Sequence, residues 1–262
     1  MSRGRGKRPV QIMAAKPQPP EPPLKIAVSL ACMDSVEAGF AYDLAKMMCY
    51  SGMALVATNQ AEIRINMLSS SILACSRNDL AAEAIAAGCT HILCVDSDMR
   101  FPKDALIRLL KANKDVVGIN YATRKVPPGY VAFKTKGLTN ESHVKLQTTP
   151  TSTGLEQCDA IGFGLVLIHT DVFKGLAYPA FEVRYNRDPK MWVGEDVDFC
   201  DKARANGTEI WVDHDLSKEC KHIGRLEFDL TMVEAVKDMD AGVITPEARD
   251  TDPLRPSLIL EA

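Results

Sequence analysis

The sequence predicts an α/β protein built on a mostly parallel, doubly wound sheet. Two observations point to it. Short, β-rich apolar runs alternate with helix-length amphipathic segments from residue 24 to residue 120. The breaks between them carry glycine or proline, the usual stop and start signals. In order, "LKIAVSLAC" (24–32) reads as a buried first strand. "DSVEAGFAYDLAKMMCYSG" follows, with Val36, Phe40, Leu44, Met47 and Met48 at helical spacing and Gly52 as a stop. "MALVAT" (53–58) is the second strand. Residues 70–87 are alanine-rich and helical, closed by Gly88. "HILCV" (91–95) is the third strand, Pro102 opens the helix "KDALIRLLKA", and "DVVGIN" (115–120) is the fourth strand.

The second half is less regular. Residues 121–157, with Pro127, Pro128 and Gly129, read as a hairpin and long loops. "CDAIGFGLVLIHTDVF" (158–173) is strand-like but interrupted by Gly162 and Gly164. "GEDVDFCDKARANG" (194–207) is a helix with Val197, Cys200 and Ala203 as its apolar stripe, and "TEIWVDHD" (208–215) is a further strand. The expected organisation is an arm over 1–24, one domain over 25–226, and a C-terminal helix and tail over 227–262.

Composition narrows the class. The 262 residues are 46% hydrophobic and 25% charged, ordinary for a protein with a large core. A net charge of -3 gives no overall nucleic-acid signature. No apolar run reaches the roughly 18 residues that a membrane-spanning helix needs. The first residues lack the apolar stretch of a secretory signal. Eight cysteines without a Cys-x-x-Cys pair, several inside apolar segments, point to reduced thiols and a cytoplasmic location. The arm is the exception in charge: residues 1–16 carry Arg3, Arg5, Lys7, Arg8 and Lys16 and no acid, followed by "PQPPEPP". It reads as a disordered tail with a stiff spacer, which either solubilises the chain or contacts an anionic partner.

Asp-x-Asp occurs five times, at Asp96/Asp98, Asp196/Asp198, Asp213/Asp215, Asp238/Asp240 and Asp250/Asp252. Only the first closes an apolar strand of the regular αβ alternation, and ligands of open α/β sheets bind outside the carboxyl ends of the strands. Two carboxylates one residue apart there can face one hard cation, Mg²⁺ or Mn²⁺, bridged to a nucleotide diphosphate; aspartate also simply favours turns. Glu195 and Asp196 open a helix behind Gly194, where acids suit the helix dipole and also suit a general base. His214 and His222 flank a later strand end, and either imidazole could complete a Mn²⁺ shell. "GFG" (162–164) permits close backbone approach or a β-bulge; no dinucleotide fingerprint or phosphate loop is present.

Taken in order, "VDSDM", "AIGFGLVLI", "VGEDVDF" and "KHIG", preceded by "CSRNDLAAEAI", resemble the landmarks of GT-A glycosyltransferases. The likeness is to the small bacterial and phage type, similar to family 2 glycosyltransferases and to fungal mannosyltransferase catalytic domains. It covers roughly residues 25 to 226. The resemblance implies a GT-A, Rossmann-like single domain with a mostly parallel central sheet. It also implies transfer of a sugar from a UDP- or GDP-sugar to an acceptor hydroxyl, with inversion favoured by the Glu-Asp pair. On that resemblance, Asp96 and Ser97 lie at the nucleotide and Asp98 and His222 hold Mn²⁺ or Mg²⁺. Arg77 and Asn78 help hold the nucleotide, and Gly162 to Gly164 line the donor sugar and acceptor. Asp196, with Glu195 beside it, is the catalytic carboxylate. Trp192 stacks on a sugar face or serves as a core or lid residue. The acceptor is a glycan, a protein or a modified nucleic acid. Two other readings stand beside it: a phosphatase of the haloacid dehalogenase type, which also ends a strand in Asp-x-Asp, and a non-catalytic GT-A-like module that only binds nucleotide sugars.

Overall fold

Strand alternation sorts the side chains into two cores, one on each face of a single sheet. The computed structural model describes residues 22–125, 128–135, 143–187 and 190–224; the basic arm up to residue 21 and the C-terminal helix and tail lie outside them. The first half runs β1 (Leu24–Cys32), α1 (Ala38–Ser51), β2 (Ala61–Ser69), α2 (Leu73–Ala86), β3 (His91–Asp96), β4 (Met99–Arg100), α3 (Ala105–Ala112) and β5 (Val116–Gly118). After it come β6 (Phe133–Thr135), β7 (His143–Lys145), β8 (Leu155–Cys158) and β9 (Leu165–His169). The chain then runs through β10 (Arg184–Arg187), β11 (Lys190–Val193), α4 (Glu195–Ala205), β12 (Ile210–Asp213), α5 (His214–Ser217) and β13 (Lys221–His222).

Seven strands form the sheet in the order β2-β1-β3-β9-β5-β12-β8. β1 pairs in parallel with β2 and β3, and β5 with β12, whereas β9 and β8 pair antiparallel with their neighbours. Five strands therefore share one direction and two oppose it, an α/β arrangement compatible with a Rossmann-like fold. The alternation is plain in β3 and β9: Ile92, Cys94, Val166 and Ile168 enter one core, while Leu93, Val95, Leu165 and Leu167 enter the other. Helices α2 and α4 cover the first core through Ala81, Ala84, Phe199 and Ala203. Helices α1 and α3 cover the second through Phe40, Met47, Leu106 and Leu109.

One expected element is displaced. Residues 53–58 are not a strand: α1 passes into a π turn at Gly52–Val56, and the strand lies at Ala61–Ser69. A six-residue apolar run fits a helix end as well as a strand. The period-two pattern of "AEIRINMLS", with Ile63, Ile65 and Met67 opposite Glu62, Arg64 and Asn66, is the strand signal, and Asn59 at φ 54° makes the reversal before it. The strand foreseen at 208–215 is shorter, because Asp213 accepts from the Leu216 N–H (2.9 Å) and caps α5. None of the helices among the described residues is long and apolar enough to cross a membrane.

At the amino end of β3, His91 faces His169 across the ladder, with ring centroids 4.9 Å apart at 85°. Thr90 donates its hydroxyl to the Lys25 carbonyl, so His91 Nδ1–H donates to Thr90 Oγ1 (2.9 Å). Burial, helped by the neighbouring His169, lowers the His91 pKa from 6.5 to about 4. The unfolded chain then binds the extra proton between those values, so this group's stabilisation is present above pH 6.5 and is lost as pH falls toward 4. His91→Asn should flatten the fall of the urea midpoint between pH 6.5 and 4.5; a variant with the wild-type slope would contradict this.

Candidate functional site

Arg77, Asp96, Asp98, Glu195 and His222 come together at the carboxyl end of β3. Asp96 closes the strand, and its N–H donates to the Gly164 carbonyl (3.1 Å) just ahead of β9. The chain turns through Ser97, whose carbonyl accepts from Glu37 N–H (3.1 Å), and Asp98 leads into β4. β4 then pairs antiparallel with β13, setting Met99 opposite His222, and Ile223 N–H donates to the Asp98 carbonyl (2.8 Å). This short ladder brings His222 Nε2 to 3.4 Å from Asp98 Oδ2. His222 Nδ1 lies 3.0 Å from the Ala122 carbonyl, which only accepts, so Nδ1 carries a proton and Nε2 is the nitrogen facing Asp98. Arg124 shares the same oxygen through Nη1 at 2.8 Å. Burial pushes the Asp98 carboxyl up, but His222 and Arg124 outweigh it and hold it below the ordinary value.

Arg77 joins this end of β3 to α4. Its side chain is 5% exposed; Nη2 donates to Asp96 Oδ1 (2.9 Å) and Nη1 to Glu195 Oε1 (2.7 Å). The guanidinium carbon sits 5.3 Å from the centre of the Phe163 ring, within cation–π range. Burial opposes the charge on Arg77, and the two carboxylates more than reverse that effect. Burial raises the Asp96 pKa, with Arg77 pulling it partly back. Asp196 is raised for the same reason, again against the pull of Arg77. Its Oδ1 accepts from Val197 N–H (2.8 Å), and a Cβ on Gly194 would lie 2.8 Å from that oxygen. Any side chain at position 194 would thus displace the carboxylate.

Several residues do work other than the expected ligand contact. Asn78 is buried, and its amide is occupied: Nδ2 donates to the Ala74 and Phe181 carbonyls (2.9 and 2.7 Å), and Oδ1 accepts from Phe181 N–H (3.1 Å). Arg77 lies beneath the carboxylates, with both ends committed to them. Gly162 and Gly164 are buried against Tyr121: a Cβ would meet its hydroxyl at 2.7 Å or its ring at 2.8 Å. The glycines let Tyr121 pack, and its hydroxyl accepts from Gly164 N–H (3.1 Å). His214 is held by Thr148 and Glu156 at 2.9 Å each. Trp192 is 69% exposed, which excludes a core role. Tyr121 and Arg124 were not singled out by any motif; each belongs to the site only through long-range packing. An open pocket of about 450 Å³ adjoins it, bordered by Tyr121, Ala122, Tyr130, Thr148 and Lys218.

Replacing Arg77 by Met would leave two partly buried carboxylates without their shared counter-charge. The expected loss is about 3–5 kcal/mol of unfolding free energy, read from urea titration at pH 7. A loss below about 1 kcal/mol would show that the triad is not a structural joint.

No protein-family model and no curated protein matches the chain. Among solved structures it is similar to one described as the crystal structure of A197 from STIV, with 14% identity and a TM-score of 0.48, covering 78% of this chain and 99% of that one.

Proposed function

We propose that the chain is a glycosyltransferase that moves a sugar from a nucleoside-diphosphate sugar to an acceptor hydroxyl. The observation that carries this reading is the convergence of four separated sequence stretches. Arg77, Asp96–Asp98, Glu195–Asp196 and His222 meet at one strand end, joined by the Arg77 ion pairs and the β4–β13 ladder.

The donor set fits a divalent cation in part. Asp98 and His222 offer an oxygen and an imidazole nitrogen toward one point, and Arg124 already balances charge there. Among the described residues no group of three His, Cys, Asp or Glu is placed for a metal. A cation held by Asp98 and His222 would therefore take its remaining ligands from the diphosphate and water, as Mg²⁺ and Mn²⁺ do. Held by Asp98 and His222, such a cation would supply positive charge to balance the diphosphate leaving group. Arg124 is exposed enough to swing from Asp98 to a phosphate oxygen, adding a second positive charge.

Asp196 is the general base. It follows Glu195 on the first turn of α4, and Glu195 is fixed by Arg77 so that Asp196 stays the freer of the two. Its raised pKa suits proton acceptance from an alcohol, and in an inverting reaction the deprotonated hydroxyl oxygen attacks the anomeric carbon as the diphosphate leaves. The open pocket bordered by Tyr121, Ala122 and Tyr130, on the side of the site where the Ala122 carbonyl holds His222, offers room for part of a substrate. A phosphatase that used Asp96 as nucleophile would have to free its Oδ1 from Arg77.

Incubation with a panel of UDP- and GDP-sugars should show metal-stimulated release of the nucleoside diphosphate. Asp196→Asn should lower turnover about 10²–10⁴-fold while leaving donor binding within about threefold. Because Asp196 acts deprotonated, activity should fall with decreasing pH, with its acid midpoint above the ordinary 3.8. Release of phosphate from p-nitrophenyl phosphate, or full turnover by Asp196→Asn, would sink the proposal. In the same panel, Arg124→Ala should raise the donor KM about tenfold or more and leave the unfolding midpoint within about 1 °C.

A further inference from the structure

The hairpin of β10 and β11 runs directly into Glu195 and Asp196, and its two faces differ sharply. Register places Tyr185 opposite Trp192 and Arg187 opposite Lys190, so these four share one face. All four are exposed, Tyr185 at 48% and Trp192 at 69%. The opposite face is anchored: Arg184 binds Asp198 (2.8 Å) and Asp201, and Val193 is buried. The hairpin is therefore fixed from behind and presents an aromatic pair and a cationic pair outward. The rings touch, with centroids 5.1 Å apart at 59°. Arg187 and Lys190 form no ion pair among the described residues, and they lie two residues along the ladder from the rings, about 6.8 Å.

We propose that this face binds single-stranded nucleic acid. Exposed rings with cations one step away match the two needs of an unpaired strand: a π surface for a base and a positive charge for its phosphate. A duplex hides its base faces, and a neutral sugar chain would leave both cations without a partner. The net charge of the whole chain is -3, so attraction of a polyanion to this face is local rather than global. The inference concerns binding and stands apart from sugar transfer. If both hold, the strand bound here lies beside Asp196, which makes a nucleotide hydroxyl the acceptor.

The test is binding of a fluorescein-labelled oligothymidylate to the full chain, followed by anisotropy at several salt concentrations. Duplex DNA, heparin and a neutral dextran serve as competitors. Every protein keeps its basic N-terminal arm, so differences between variants report the hairpin alone. Trp192→Ala should weaken binding about tenfold or more with an unchanged salt slope. Arg187→Gln with Lys190→Gln should reduce the slope of log K against log salt by about 1.4, the loss of two single-strand phosphate contacts. All variants should keep the wild-type unfolding midpoint, since the changed side chains are exposed. Absence of oligonucleotide binding by the wild type would overturn the proposal. So would variants that bind as well as wild type, or dextran or heparin displacing the strand while Trp192→Ala has no effect.

Discussion

The rest of the site depends on one buried ion triad. Arg77 projects from α2 between Asp96, at the end of a central strand, and Glu195, on the first turn of α4. A guanidinium taken out of water is tolerated only when its donors are matched, and here two carboxylates and the face of Phe163 do so. Because the three residues come from three elements, the triad sets the distance between the strand end and the helix that carries Asp196. The aromatic cluster beneath it, with Phe181 stacked on Phe199 at 4.8 Å and Phe163 edge-on to both, fixes α4 against the 162–164 turn. Asn78 adds a third tie by holding the Phe181 backbone in both directions.

A second constraint acts on the other side of the turn. The β4–β13 ladder is only two residues long in each strand, yet it carries His222 back to Asp98 across more than a hundred residues of sequence. Tyr121 supports this geometry: its ring meets His222 edge to face at 5.2 Å, while its hydroxyl holds Gly164. The "GFG" stretch thus serves three partners at once. Phe163 faces Arg77, the two glycines make room for Tyr121, and the Gly164 carbonyl anchors Asp96. A glycine read from sequence as an opening toward ligand proves to be a close approach of one part of the protein to another.

Much of the framework was legible in the residues because it is local. β1, β3 and α2 follow from apolar period and composition, and Asp96 stands out because a strand ends there. What escaped depends on pairing between distant segments. Nothing in "LVLIH" says that β9 inserts antiparallel between β3 and β5, and nothing in "YATRK" marks Arg124 as a partner of Asp98. The apolar run at 53–58 was misread because period alone does not separate a short strand from a helix end. The pairing of Arg77 with Asp96 and Glu195 is likewise invisible in "CSRND", since it is burial between distant segments that turns a ligand-type residue into a joint.

We propose that Asp98 and His222 form a cation site completed by a nucleoside diphosphate. Room-temperature EPR of Mn²⁺ tests it directly, because the free aquo ion gives a strong six-line signal that collapses on binding. With UDP or GDP present, the full chain should remove the signal beyond what nucleotide alone removes, and Asp98→Asn or His222→Ala should restore it at least tenfold in apparent Kd. An unchanged signal with every nucleotide, or equal Mn²⁺ uptake by both variants, would contradict it.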